Sequence, residues 1–248
     1  MFLKNLFYKK PQELNLLYTT DIHSHLFYGI DDGVNTIDGA TEIIREMANL
    51  GFERLVITPH VRREIYENTS DVIKSKLGEL QNHLIKNNID IEIQAAAEYY
   101  VDDGFYELVK SNNILTFGNN KHVLIEFSYF NPPINIKNTI YDLQLKGYHV
   151  VLAHAERYYY FHNNIEVYYD LYERGVLLQL NLVSINSFYD RKSAKIAKTL
   201  VEKGLYSFIG SDMHNMQYFK SFKKILYSAQ ISEIFEKCNI QNDDIFEK

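Results

Sequence analysis

Two histidines separated by one residue, His23 and His25, close an apolar, β-prone approach, Leu16-Leu17-Tyr18-Thr19-Thr20. They precede the turn-rich Tyr28-Gly29-Ile30-Asp31-Asp32-Gly33. Side chains at i and i+2 of a strand share a face, so the two imidazoles can address one point with the acids just downstream. Neutral imidazole suits zinc, iron and related ions, whereas carboxylate draws manganese and other harder cations. A lone His-x-His is weak evidence, because paired surface histidines are common. The pattern gains force by repetition: His60, Glu98, Glu126, His154, Asp212 and His214 fall at, or just beyond, the ends of later apolar runs.

With Asp32, the set comprises five of the nine histidines and four carboxylates. That is more than one mononuclear site uses. The count points to two or three divalent ions sharing bridging carboxylates. Such clusters lower the pKa of bound water to roughly 7 and clamp the attacking and leaving oxygens of a phosphoryl group. Phosphate-ester hydrolysis is the chemistry that follows. No Ser-His-Asp order or nucleophile elbow competes, and Cys238 near the C-terminus has no phosphate-loop motif around it.

The elements that must position these donors read as a repeating unit. A short apolar strand ends in polar residues and an amphipathic helix follows. Predicted strands cover Arg54–Thr58, Asp90–Ala97, His122–Ile125, His149–Ala153, Val176–Asn181 and Tyr206–Gly210, after the first near Thr20. Predicted helices cover Thr36–Leu50, Ser70–Lys86, Tyr106–Ser111, Ile136–Lys146, Ile165–Arg174 and Lys192–Lys203. Gly51, Gly147, Gly175 and Gly204 are placed as C-terminal stops. Strands alternating with helices imply parallel βαβ units. Seven near-equal units without a Gly-rich phosphate loop favour a closed barrel, whose strand C-termini converge on one face. No linker divides the chain, so residues 19–248 read as one domain, with residues 1–18 as an arm or short helix packed on it or lying on a membrane surface.

Composition excludes several classes. The 248 residues are 46% hydrophobic, and 20 Tyr plus 15 Phe can fill a substantial core. A net charge of −6 with interspersed signs argues against a nucleic-acid surface. One cysteine allows no intrachain disulfide, which suits a reducing cytoplasm. No apolar run approaches the ~20 residues of a membrane span. The first ten residues, broken by Lys4 and Asn5, do not form a secretory signal.

The sequence resembles the PHP (polymerase and histidinol phosphatase) superfamily, and within it the capsule and exopolysaccharide tyrosine phosphatases of the CpsB/CapC type. The carrying segments are Asp21-Ile-His-Ser-His25, Gly29-Ile-Asp-Asp-Gly33, Thr58-Pro-His60, Ala97-Glu-Tyr-Tyr100, Leu124-Ile-Glu-Phe127, Ala153-His-Ala-Glu-Arg-Tyr158 and Ser211-Asp-Met-His-Asn215. They run in family order from about Thr20 to Asn215.

The resemblance implies a distorted (β/α)7 TIM-like barrel with up to three ions, manganese foremost and iron or zinc as alternatives. It assigns the nine residues above as ligands, with Asp32 rather than Asp31 because it directly precedes Gly33. The implied substrate is phosphotyrosine on a bacterial tyrosine autokinase controlling polysaccharide assembly, attacked by metal-bound hydroxide in the cytoplasm. Arg157 is expected to hold phosphate through its planar fork, with His60 and Asp212 also at the reacting group. Arg62 and Arg63 are further phosphate candidates. Many family members carry an Arg-Pro-Pro-like segment after Asn215; here Met216-Gln217-Tyr218-Phe219-Lys220 follows, and Lys220 could supply only a point charge. Two other readings fit the same residues: a histidinol-phosphate or other small-molecule phosphomonoesterase, and a non-catalytic regulator of polysaccharide assembly.

Overall fold

In a computed structural model of the chain, residues 16–133 and 135–247 are described. The expected N-terminal arm lies mostly outside them. After β1 (Thr20–Asp21), helix α1 (Ile37–Leu50) starts where the Thr36 hydroxyl accepts the Gly39 N–H and stops at Gly51, whose φ of 103° is left-handed. It buries Ala40, Ile43, Ile44 and Met47, the stripe that its apolar spacing dictates. Two strands follow, β2 (Arg54–Ile57) and β3 (His60–Val61), then α2 (Ser70–Lys86), β4 (Glu92–Ala95), β5 (Glu98–Tyr100) and α3 (Asp103–Lys110). The rest alternates regularly: β6 (His122–Glu126), α4 (Ile136–Leu145), β7 (His149–Leu152), α5 (Glu166–Glu173), β8 (Leu177–Asn181), α6 (Arg191–Glu202) and β9 (Tyr206–Gly210). Helices α7 (Met216–Leu226) and α8 (Ala229–Lys237) follow, and a short 3-10 helix, Asp244–Phe246, is the last element described.

All strand pairs are parallel, as βαβ order requires, but they form two sheets rather than the single closed sheet expected of a barrel. One sheet is ordered β1-β2-β4 and the other β3-β5-β6-β7-β8-β9. The second and third predicted strands end at Ile57 and Ala95; after breaks at Thr58-Pro59 and at Ala96-Ala97 the chain resumes, beyond the predicted ranges, as β3 and β5 in the other sheet. Proline has no N–H to give a ladder, which accounts for the first break. The far seam is stitched locally. Ser24 bridges Met213, with Asp212 N–H to the His23 carbonyl at 2.8 Å and His25 N–H to the Met213 carbonyl at 2.9 Å. Below it, the Asn242 side chain bonds the carbonyls of both Thr20 and Ile209 and accepts the Ile209 N–H.

Side-chain alternation divides the interior in two. Val56, Leu124 and Val151 point inward with Ile22, Ala96 and Phe208 into one small apolar cluster, plugged by Phe117 and Ile245. Their strand neighbours Leu55, Ile57, Val123, Ile125, Val150 and Leu152 face the helices in a larger cluster. Among the described residues no helix is long and apolar enough to cross a membrane.

Candidate metal centre

The two strand breaks set the site. They place His60 and Glu98 as direct partners across β3 and β5, with Tyr100 opposite Glu126 on β6. His23 and His25 follow β1, His154 follows β7, and Asp212 and His214 follow β9. Two of these backbones are held in the left-handed region, His154 at φ 32° and Asp212 at φ 51°. That conformation is disfavoured for residues other than glycine and recurs where structure serves a site. Gly33 is also dictated by the site: a Cβ there would collide with the His25 carbonyl. This lets the Asp31-Asp32 turn press against the histidine pair.

All nine predicted donors converge. Four overlapping groups have ligand atoms within 4.8 Å of one another: His25, Asp32, His60 and His214; His23, His25 and Asp212; His23, Glu98 and His154; and His60, Glu98 and Glu126. His23 Nε2 and His25 Nε2 face each other at 3.2 Å. Two nitrogens each about 2.1 Å from a shared ion are separated by about that much. Glu98 Oε2, fully buried and without a hydrogen-bond partner, lies 3.3, 3.4 and 3.1 Å from nitrogens of His23, His25 and His60. The His60 Nδ1 atom is likewise buried without a hydrogen bond. Orphaned buried donors and acceptors of this kind need a partner, and a divalent cation fits the mixed imidazole–carboxylate set.

The electrostatics agree. Burial works to raise the Glu98 carboxyl, yet His23, His60 and His154 hold it well below the usual range. Asp212 is likewise driven well below by His214, His23 and His25 against its burial. The His214 hydrogen bond brings Asp32 down to about 2. Against its own burial, Glu98 lifts His60 to about 10. Buried carboxylates that keep their charge demand positive charge between them.

A surrounding layer aims the donors, and here residues appear that the sequence reading missed. Asp31, passed over in favour of Asp32, accepts the His25 Nδ1 proton at 2.8 Å and the N–H groups of Gly33 and His60. Asp32 itself faces His60 and His214, each at 3.4 Å. Gln179 Oε1 accepts from His23 Nδ1 at 2.9 Å and from the His154 N–H at 3.0 Å. The Nδ1 contacts of His23 and His25 leave their Nε2 atoms turned to the centre. Asp212 is split: Oδ1 faces the histidines, while Oδ2 accepts from Asn181 at 2.6 Å, Tyr189 at 3.0 Å and Arg157 at 3.3 Å. Asn181 and Tyr189 carry no spacing signal. Only Asn181, closing a strand as the ligands do, offered a hint.

The centre opens into a cavity of about 300 Å³ lined by His60, Arg157, Asp212, Tyr129, Tyr218 and their neighbours. The Arg157 guanidinium is sandwiched between Tyr189, 3.9 Å from its ring centre, and Tyr129, at 4.3 Å. Arg62 also lines the cavity, whereas Arg63 lines a neighbouring one and Lys220 sits exposed on α7, away from both. Among the tyrosines that follow the donor positions, Tyr129 walls the cavity, while Tyr99 and Tyr158 are buried, the latter donating to the Ala153 carbonyl.

Comparison with known proteins gives the same picture. The capsular polysaccharide synthesis family CpsB/CapC matches residues 19–224. The tyrosine-protein phosphatase YwqE of Bacillus subtilis is 29% identical over 197 residues, spanning 79% of this chain and 78% of that one. The tyrosine-protein phosphatase CpsB of Streptococcus agalactiae serotype V is 29% identical over 201 residues, 79% of this chain and 83% of that one. Among solved structures, a chain from the metal-dependent tyrosine phosphatases YwqE of Bacillus subtilis and CpsB of Streptococcus pneumoniae superposes with a TM-score of 0.77. It is 27% identical and covers 88% of this chain and 91% of that one.

Proposed function

The chain belongs to the capsular polysaccharide synthesis family CpsB/CapC, and we propose that it is a metal-dependent protein-tyrosine phosphatase. The observation that carries the reading is the convergence of nine imidazole and carboxylate groups at the foot of a cavity walled by a guanidinium and aromatic rings. His23, His25, Asp32, His60, Glu98, Glu126, His154, Asp212 and His214 would hold the metal. Glu98 belongs to two of the four donor groups and a carboxylate can bridge, which favours two or three ions. The carboxylates favour manganese over softer metals. Divalent ions in such a set supply Lewis-acid polarisation of phosphoryl oxygens and a nucleophile at neutral pH.

The chain's own residues do the rest. Arg157 presents its fork to the phosphate, and its two flanking rings fix the plane in which it donates. Its bond to Asp212 ties phosphate recognition to the centre. Tyr129, Tyr66 and Tyr218 enclose the space an aromatic ester needs. A cysteine phosphoenzyme has no support here: Cys238 is buried at the end of α8, its Sγ pointing at the Val201 carbonyl, and burial raises its pKa.

The seam contacts between Ser24 and Met213 and the inward apolar cluster support reading residues 19–248 as a distorted seven-unit barrel. A phosphotyrosine-bearing tyrosine autokinase of the polysaccharide machinery is the proposed partner and the cytoplasm the proposed location. The test is hydrolysis by manganese-reconstituted protein of a phosphotyrosyl peptide beside phosphoseryl peptide and histidinol phosphate. Preference for phosphotyrosine is expected; preference for histidinol phosphate would assign a small-molecule phosphatase instead.

A further inference from the structure

A second cavity, about 290 Å³, lies against the first, and Arg62 and Tyr66 line both. The partition between them is a tight loop. Arg62 N–H bonds the Tyr66 carbonyl at 2.9 Å and Tyr66 N–H returns to the Arg62 carbonyl at 2.8 Å, with Glu64 left-handed at φ 65°. Asn68 clamps its base through the carbonyls of Ile30 and His60, and Arg63 N–H bonds Asp102. Tyr66 stacks on His60 with only 13° between ring planes, and the Arg62 guanidinium lies 4.1 Å from the Tyr100 ring centre. The wall is therefore held from both sides, and it separates two preformed spaces.

The second space differs in chemistry from the first. Its depth is apolar, built from Ile73, Tyr99, Phe105 and Leu108, while Glu67, Asp102 and Glu107 line it as carboxylates. Arg62 and Arg63 stand beside these carboxylates and nearly balance their charge, so the lining offers an apolar depth to a bulky uncharged side chain and no dedicated partner to a charged one. Same-side residues of an extended peptide are spaced about 7 Å apart, about what one aromatic partition demands. Ile65, 55% exposed at the loop apex, sits where the intervening residue would pass.

Resting on the phosphatase reading, we propose that this cavity is a substrate subsite for a large apolar side chain two residues from the phosphotyrosine of a polypeptide. It makes the enzyme select sequence context, not phosphotyrosine alone.

The test uses the metal-loaded full chain and phosphotyrosyl peptides with Leu, Phe, Ala or Glu at each of the positions two residues before and after phosphotyrosine. p-Nitrophenyl phosphate serves as a control without context. At one of the two positions Leu or Phe should raise kcat/KM roughly tenfold or more over Ala, the discrimination an apolar pocket gives, and Glu should bring no such gain. Affinities of the same peptides carrying a non-hydrolysable phosphonate should follow that order. Asn113, exposed and hydrogen-bonded to Ser70 at the cavity's edge, allows the space to be blocked without touching the core. Asn113→Trp should erase the preference and leave p-nitrophenyl phosphate turnover unchanged. A flat response at both positions, or a preference that survives Asn113→Trp, overturns the subsite while leaving the phosphatase standing. Failure to hydrolyse any phosphate ester overturns the phosphatase reading and the subsite with it.

Discussion

At the scale of single residues, Arg157 and Tyr189 divide the work around Asp212. Arg157→Lys keeps the charge and loses the fork, so metal content and melting temperature should hold while kcat/KM on a phosphotyrosyl peptide falls roughly a hundredfold. Loss of the fold without a kinetic defect would contradict that role. Tyr189→Phe keeps the ring over Arg157 and removes one of three donors to Asp212 Oδ2. Metal affinity, read by competition with a chelator, should weaken roughly tenfold while KM stays within about twofold. An unchanged metal affinity would mean that Asn181 and Arg157 suffice to hold Asp212. Apart from Asp32, which lies in a turn, the donors were legible because each falls at or just past the end of an apolar run, a place that a βα unit presents on one face. Asn181 and Tyr189 were not, because a single polar residue that orients another leaves no periodic trace.

At the scale of elements, the strand order and most helices could be read from apolar spacing and glycine stops, as at Gly51 and Gly175. Pro59 marked the end of β2, since it cannot serve a ladder, but β3 and β5, which resume beyond the predicted strands, carried no such mark. Helices α7 and α8 went unread although Asn215 caps α7 by accepting the Gln217 and Tyr218 N–H groups and Phe219, Phe222, Ile225 and Leu226 form its buried side. The start of β6 makes a prediction of its own. His122 is buried against Phe117 and Phe208, and burial, followed by the neighbouring His149, pushes its pKa down to about 4. An unfolded chain takes up that proton near pH 6.5. The unfolded state therefore binds more protons between about pH 6.5 and 4, and native stability falls as pH drops through that window. His122→Phe removes this contribution. Its melting temperature relative to the parent chain should rise steadily from pH 7 to pH 4.5; a difference independent of pH would show that His122 does not titrate as described.

At the scale of the whole molecule, the interior is organised so that the small inward cluster of Ile22, Val56, Leu124, Val151 and Phe208 supports the ring of donors above it. Unbroken apolar runs such as Val123-Leu124-Ile125 made the two-sided burial of these strands foreseeable. What they could not give is the division into two sheets, because that depends on where hydrogen bonds lapse, not on which faces are apolar. The consequence is a floor that brings nine candidate donors together from most of the strands, with loops shaping the cavities beside them. The central claim is that these ligands hold more than one ion and that hydrolysis depends on them. The most direct measurement titrates manganese into chelator-stripped protein and follows bound ions per chain together with phosphate release from a phosphotyrosyl peptide. Activity should be absent in the stripped protein and appear as occupancy passes one ion toward two or more. Full turnover by the stripped protein, or saturation at a single ion, would contradict it.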